Sequence, residues 1–143
     1  MTRINQLRKI LKKQEVEALL VTHLTNVKYL TGFTGTAGAL LVTQEGAIFV
    51  TDFRYTQQAK DQTSCVIREN TQNIYYEIRD LLKELRISSV AIEAEKVNVT
   101  TFRLMEKIFT SEIIESEGWV EELREIKDAQ EIQAITRAVE IIE

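Results

Sequence analysis

The 143-residue chain contains no proline and only one cysteine, one histidine and one tryptophan. Each scarcity removes a class of explanation. Without proline, every chain reversal must rest on Gly, Asn, Asp, Ser or Thr. A lone Cys65 excludes an intramolecular disulfide framework and fits a reducing compartment. Within Ser64-Cys-Val-Ile67 it reads as a small apolar strand residue, with no base beside it to activate a thiol. A lone His23 leaves the usual zinc sites short of ligands and a nucleophilic triad short of a base, and no Gly-x-Ser-x-Gly elbow occurs. Oxygen-only ligation by carboxylates stays open on composition, although no dense acidic loop of the calcium type is present. Long hydrophobic runs are missing too. Stretches such as Ala39–Val42 fall far short of the roughly 20 residues that span a bilayer, and Met1–Leu7 has no apolar segment of leader length. The expectation is a cytoplasmic protein with no membrane partner.

What is present suits a folded domain. The chain is 44% hydrophobic and 28% charged, a globular balance, and a domain of this length buries about 68% of its unfolded surface. The net charge of -4 falls within residues 118–143, and the remainder is neutral. Arg3, Arg8, Lys9, Lys12 and Lys13 give the first helical segment five positive charges and no acid. Nucleic-acid binding would want a larger basic patch with aromatics among it, so no such partner is expected.

Helical and extended patterns alternate along the chain. Ile4, Leu7, Ile10 and Leu11 predict an amphipathic helix over 2–14. Ala18–Thr22 suits a buried strand, and a helical turn around Asn26–Leu30 would be capped by Thr25 or Asn26 and closed by Gly32. Ala39–Thr43 and Ala47–Thr51 flank Gln44-Glu-Gly46 as a hairpin. Helices are then predicted at 53–61, 73–86 and 101–109, with strands at 64–69, 89–93 and 112–115. This order predicts an α/β fold with a mixed β-sheet and helices on both faces. Trp119 reads as a packing anchor between the sheet domain and the chain beyond it. Asp128-Ala-Gln-Glu131 resembles a capping box, and Ile132, Ile135, Val139 and Ile142 form an apolar stripe that needs a partner.

Two loop segments stand out. Gly32-Phe-Thr-Gly-Thr-Ala-Gly38 lacks the Lys-Ser/Thr of a phosphate loop, and a strand comes after it where a dinucleotide fingerprint needs a helix. It reads as a loop whose backbone needs glycine. Thr51-Asp-Phe-Arg-Tyr55 lies at the end of a strand, where sheet domains expose functional groups. Asp52 and Arg54 pair or support the glycine loop on a structural reading. On a functional reading Phe33, Asp52, Arg54 and Tyr55 line a substrate entrance or interface completed by another domain or subunit. A nuclease-like alternative would use Asp52 and Glu93, each at a strand end, as metal carboxylates.

In order and spacing these segments resemble the N-terminal domain of the creatinase/prolidase/aminopeptidase P family. Asn26-Val-Lys-Tyr-Leu-Thr-Gly-Phe33 with its Gly-Thr-Ala-Gly extension, Asp52-Phe-Arg-Tyr-Thr-Gln-Gln-Ala59, and Leu123–Asp128 with Glu131-Ile132 carry the likeness, which covers nearly the whole chain. The resemblance implies a ribonuclease-H-like sheet domain over 1–122. Residues 123–143 would then be a linker and the first helix of a catalytic domain lying beyond Glu143. It also implies two divalent metals (manganese, cobalt or zinc) on two Asp, one His and two Glu of that later domain, activating water against the bond preceding proline. The partners implied are the chain's own catalytic domain, a second copy in a homodimer, and short proline-containing peptides. No catalytic or metal-binding residue is assigned to this chain, which is expected to be inactive alone. The alternatives are a peptidase-like binding module without hydrolysis and a creatinase-type amidinohydrolase.

Overall fold

A computed structural model describes residues 2–125. The element order is α1 (Arg3–Lys13), β1 (Ala18–Val21), α2 (Leu24–Thr31), β2 (Ala39–Thr43), β3 (Ala47–Thr51), α3 (Thr56–Gln62), β4 (Val66–Glu69), α4 (Ile74–Glu84), β5 (Ser89–Glu93), α5 (Val99–Ile108) and β6 (Glu112–Ser116). A final helical stretch occupies residues 119–125. The predicted capping box and the apolar stripe beyond it lie outside the described residues.

The six strands form one sheet in the order β4-β3-β2-β1-β5-β6. β2 pairs antiparallel with both β1 and β3, and the other pairs are parallel. The carboxyl ends of β1, β3, β4, β5 and β6 therefore share one rim with the start of β2. Alternation along β1 divides the core: Leu19 and Val21 join one apolar cluster, Ala18 and Leu20 the other. The first face carries Leu7 and Leu11 of α1, Val27 and Leu30 of α2, Ala59 of α3, and Val120. The second carries Ile78, Leu81 and Leu82 of α4 with Met105 of α5. The sheet is thus mixed and covered on both faces, as the alternating pattern requires.

Three local expectations change. Helix α2 begins at Leu24, and neither Thr25 nor Asn26 caps it; the residue at the cap position is His23, whose side chain makes no cap bond. Instead Glu93 Oε1, from the end of β5, accepts the amides of Thr22 (2.9 Å) and His23 (3.0 Å). A carboxylate there satisfies free donors and opposes the positive end of the helix dipole. Gly32 closes the helix as expected, with a left-handed φ of 86° and its amide on Lys28 O. The segment 53–55 is a turn and α3 starts at Thr56, because Asp52 Oδ1 accepts the Arg54 amide and Asp52 O accepts that of Tyr55. Cys65 is a bend residue just before β4, half-buried against the first cluster. Burial pushes its thiol pKa up, which keeps it protonated and unreactive. Trp119 packs on that same cluster.

Candidate functional site at the carboxyl rim of the sheet

The glycine loop 32–38 enters β2 on the rim where β3 delivers Asp52. Several contacts hold it there. Thr51 Oγ1 donates to Ala37 O (2.7 Å). The Thr34 amide donates to Gln62 Oε1 (2.9 Å), and Gln62 and Gln58 of α3 each donate to Thr34 Oγ1 (2.9 and 3.1 Å). Tyr55 and Thr36 share a hydroxyl–hydroxyl bond of 2.5 Å. Beneath the loop the Phe33 ring meets Phe49 at 4.6 Å and the Tyr55 ring edge-on at 5.9 Å. Phe33 is 1% exposed, so its side chain supports the loop from the core and is closed to a partner. The neighbouring phenyl that faces outward is Phe53, 76% exposed.

Asp52 and Arg54 pair in a two-pronged manner: Arg54 Nε donates to Oδ1 (3.0 Å) and Nη2 to Oδ2 (2.8 Å). The guanidinium holds the Asp52 carboxyl below its usual range, and Asp52 raises that of Arg54 in return. The Arg54 side chain stays 61% exposed and lies 5.3 Å from the Tyr55 ring centre. Fixed on one edge by Asp52, the guanidinium keeps Nη1 directed away from that carboxylate. Planar donors of this kind suit a further carboxylate or a carbonyl. Beside the pair lies a cleft of about 260 Å³ lined by Thr22, Gly38, Thr51, Asp52, Asn70 and Tyr75. Burial pushes the Tyr75 hydroxyl pKa up, in the direction that favours the neutral phenol.

Asp52 and Glu93 do not converge. Their strands, β3 and β5, are separated by β2 and β1, three spacings or about 14 Å. Glu93 is buried and spends both oxygens on amide donors. That geometry overturns the nuclease-like metal pair. Among the described residues no group of three or more His, Cys, Asp or Glu is placed to hold a metal ion, so these residues do not fit the two metals that the resemblance implies. No helix among them is long and apolar enough to cross a membrane.

Two features are not legible in the sequence. Phe53 reads there only as part of a motif, and its 76% exposure emerges only in the fold. Asn26 is fully buried and hydrogen-bonded at both ends of its amide. Its position beside Val27 and one turn before Leu30, both core residues, is the available signal.

Comparison with known proteins places these features in a pattern. A family model described as the Creatinase/Prolidase N-terminal domain matches residues 3–126. The chain is 31% identical over 141 residues to "Uncharacterized peptidase YqhT" of Bacillus subtilis (strain 168), covering 97% of this chain and 40% of that protein. It superposes on the Xaa-Pro dipeptidase from Bacillus anthracis with a TM-score of 0.82 at 31% identity, over 85% of this chain and 35% of that one. The N-terminal domain of cytoplasmic peptidase PepQ from Mycobacterium tuberculosis H37Rv gives 0.79 at 27% identity, over 85% of this chain and 97% of that one. The chain therefore spans about 40% of the length of the curated relatives it matches.

Proposed function

This chain belongs to the creatinase/prolidase N-terminal domain family, and on that footing we propose that it is the non-catalytic front part of a metal-dependent Xaa-Pro dipeptidase or aminopeptidase. Its role is assembly and control of access to an active site built elsewhere. Relatives and structural neighbours described as Xaa-Pro peptidases support the class. On this reading the two divalent metals belong to the longer protein, since the described residues offer no group of ligands for them. The cytoplasm is the proposed location.

The observation that carries the role is the rim. An exposed Arg54 locked by Asp52, an exposed Phe53, and a glycine loop braced by Tyr55 stand side by side. Arginine and aromatic residues supply most of the binding energy where surfaces meet. An arginine already held in one geometry gives up little entropy on docking. Such a rim suits the mouth of a peptide cleft shared with the catalytic domain or with a second copy in a homodimer.

The test uses the protein extended past residue 143. With manganese, cobalt or zinc supplied, it should hydrolyse an Xaa-Pro dipeptide, and the 143-residue chain should not. Arg54→Ala in the extended protein should lower kcat/KM or dissociate the dimer while thermal stability holds. A loss that tracks stability alone would return Arg54 to a purely structural role. Turnover by the 143-residue chain itself would overturn the division of labour.

A further inference from the structure

Asn26 joins three elements through one buried amide. Its Nδ2 donates to Glu93 Oε2 at the end of β5 (2.6 Å) and to Glu121 Oε1 in the helical residues 119–125 (2.8 Å). Its Oδ1 accepts from Arg124 Nη1 one turn further along (3.1 Å). Both amide protons thus face anions and the oxygen faces a cation, so the amide's orientation is dictated by charge. Turning it over would set oxygen against two carboxylates. The two acids tolerate each other because the amides of Thr22 and His23 hold Glu93, and Asn26, Lys96 and Arg124 act on Glu121. One turn along α2, Tyr29 Oη donates to Leu123 O (3.0 Å), while Val120 and Leu123 pack on the first core cluster.

Glu93 and Glu121 converge on a nitrogen whose two protons are already placed, with a guanidinium opposite. That is a clamp and not a cation site. Its location gives it a consequence. The clamp lies where β1 and β5 end, on the rim that carries the glycine loop and the Asp52–Arg54 turn. Residues 119–125 are also the path by which the chain continues past this domain. We propose that Asn26 is a positioning residue for the whole protein: through Glu121 and Arg124 it fixes the direction in which the chain leaves the sheet, and so the placement of the rim against the next domain. The part of this concerned with a catalytic domain rests on the function proposed above.

The proposal separates local anchoring from global folding, and so does its test. Glu121→Gln and Arg124→Met alter half-buried groups at the clamp's edge and leave both core clusters intact, so they are expected to fold. Asn26→Ser removes the amide itself. Amide hydrogen exchange on the 143-residue chain should speed up across 119–125 by about tenfold for each variant, the scale of one charge-assisted hydrogen bond. Amides of α4 and α5 should be unchanged, and Arg124→Lys should restore part of the protection. In the extended protein, spin labels on Lys107→Cys and on a surface site of the next domain should give a broader distance distribution in Arg124→Met than in the unaltered protein. Unchanged exchange at 119–125 in the edge variants would overturn the clamp. Faster exchange with an unchanged distance distribution would overturn its positioning role. Neither readout needs catalysis, so an extended protein without peptidase activity would refute the proposed function and leave this inference to stand or fall on its own measurements.

Discussion

Replacing Gly38 by alanine tests the packing that holds the rim in place. A methyl group there would sit 2.2 Å from Phe49 Cζ and 2.8 and 3.0 Å from the two adjoining ring carbons. Ordinary carbon contacts lie at about 3.5 Å, so the ring would have to retreat by about 1 Å. Phe49 has little room to do so, being fully buried and tilted against Phe33 at 4.6 Å, which in turn supports Tyr55. Overpacking of this kind costs about 1–3 kcal/mol. The backbone adds a second penalty, because Gly38 holds a φ of +153° that L residues rarely adopt, worth about 1–3 kcal/mol more. A combined loss of about 2–6 kcal/mol is a large share of the ~5–15 kcal/mol that stabilises a domain. For a chain of this size it corresponds to a melting point lower by roughly 8–24 °C. Thermal denaturation of the 143-residue chain, tracked by far-ultraviolet circular dichroism, measures it. Gly46→Ala is the control: nothing lies within 4 Å of its added carbon, and the change should stay within about 0.5 kcal/mol. Phe49→Leu combined with Gly38→Ala should be less damaging than the sum of the two alone, since a smaller side chain relieves the collision. A Gly38→Ala protein melting within about 2 °C of the parent would refute the account of how this loop is seated.

Two further outcomes concern groups away from the rim. Arg68 of β4 bridges Glu77 (2.7 Å) and Glu84 (2.5 and 2.8 Å) of α4, so Arg68→Leu should cost about 1–2 kcal/mol by stranding the half-buried Glu77, read by urea denaturation. Because Arg68 holds the Glu84 carboxyl below its usual range, whatever the exposed Arg68–Glu84 pairing adds is present above that carboxylate's unfolded pKa and is lost as pH falls through its lower folded value. The gap between parent and Arg68→Leu should accordingly narrow in acid, and a gap that stays constant down to strongly acidic pH would contradict the ion pair. Cys65, with its thiol pKa raised by burial, should react with iodoacetamide at pH 8 more slowly than free cysteine does; equal or faster alkylation would show that the residue is neither shielded nor held as the thiol.

Much of this architecture was legible because its signals are local. Strands β2, β3 and β5 fall on the predicted residues, each a short apolar run bounded by turn-forming or polar positions. The α2 cap was not legible, since the atom that serves it belongs to Glu93, 71 positions from Thr22. Nothing near His23 announces that. The start of α3 was misplaced for a nearer reason: Asp52 can either lead into a helix or form a turn with its own succeeding amides, and it does the latter. At the rim, the Asp52–Arg54 pairing stems from charge and closeness in sequence. Which phenyl turns inward does not. Phe33 lies between Gly32 and Thr34 and Phe53 between Asp52 and Arg54; in the fold Phe33 packs against Phe49 and Phe53 stays exposed.

The reversed direction of β2 leaves one further mark on the molecule. Being the strand that runs against its neighbours, it receives its incoming connection on the side where they finish, while its outgoing connection turns back at the opposite end. The register Ala39↔Val50 starts only after Gly38, so residues added between Thr34 and Ala37 would lengthen the overhang without sliding one pair of the ladder. The outgoing turn has no such latitude, because Thr43 Oγ1 accepts the amides of both Glu45 and Gly46. Added length on the first side would give up the Thr36–Tyr55 and Thr51–Ala37 bonds and leave the strand pairing in place, whereas on the second it would break the turn that sets the register.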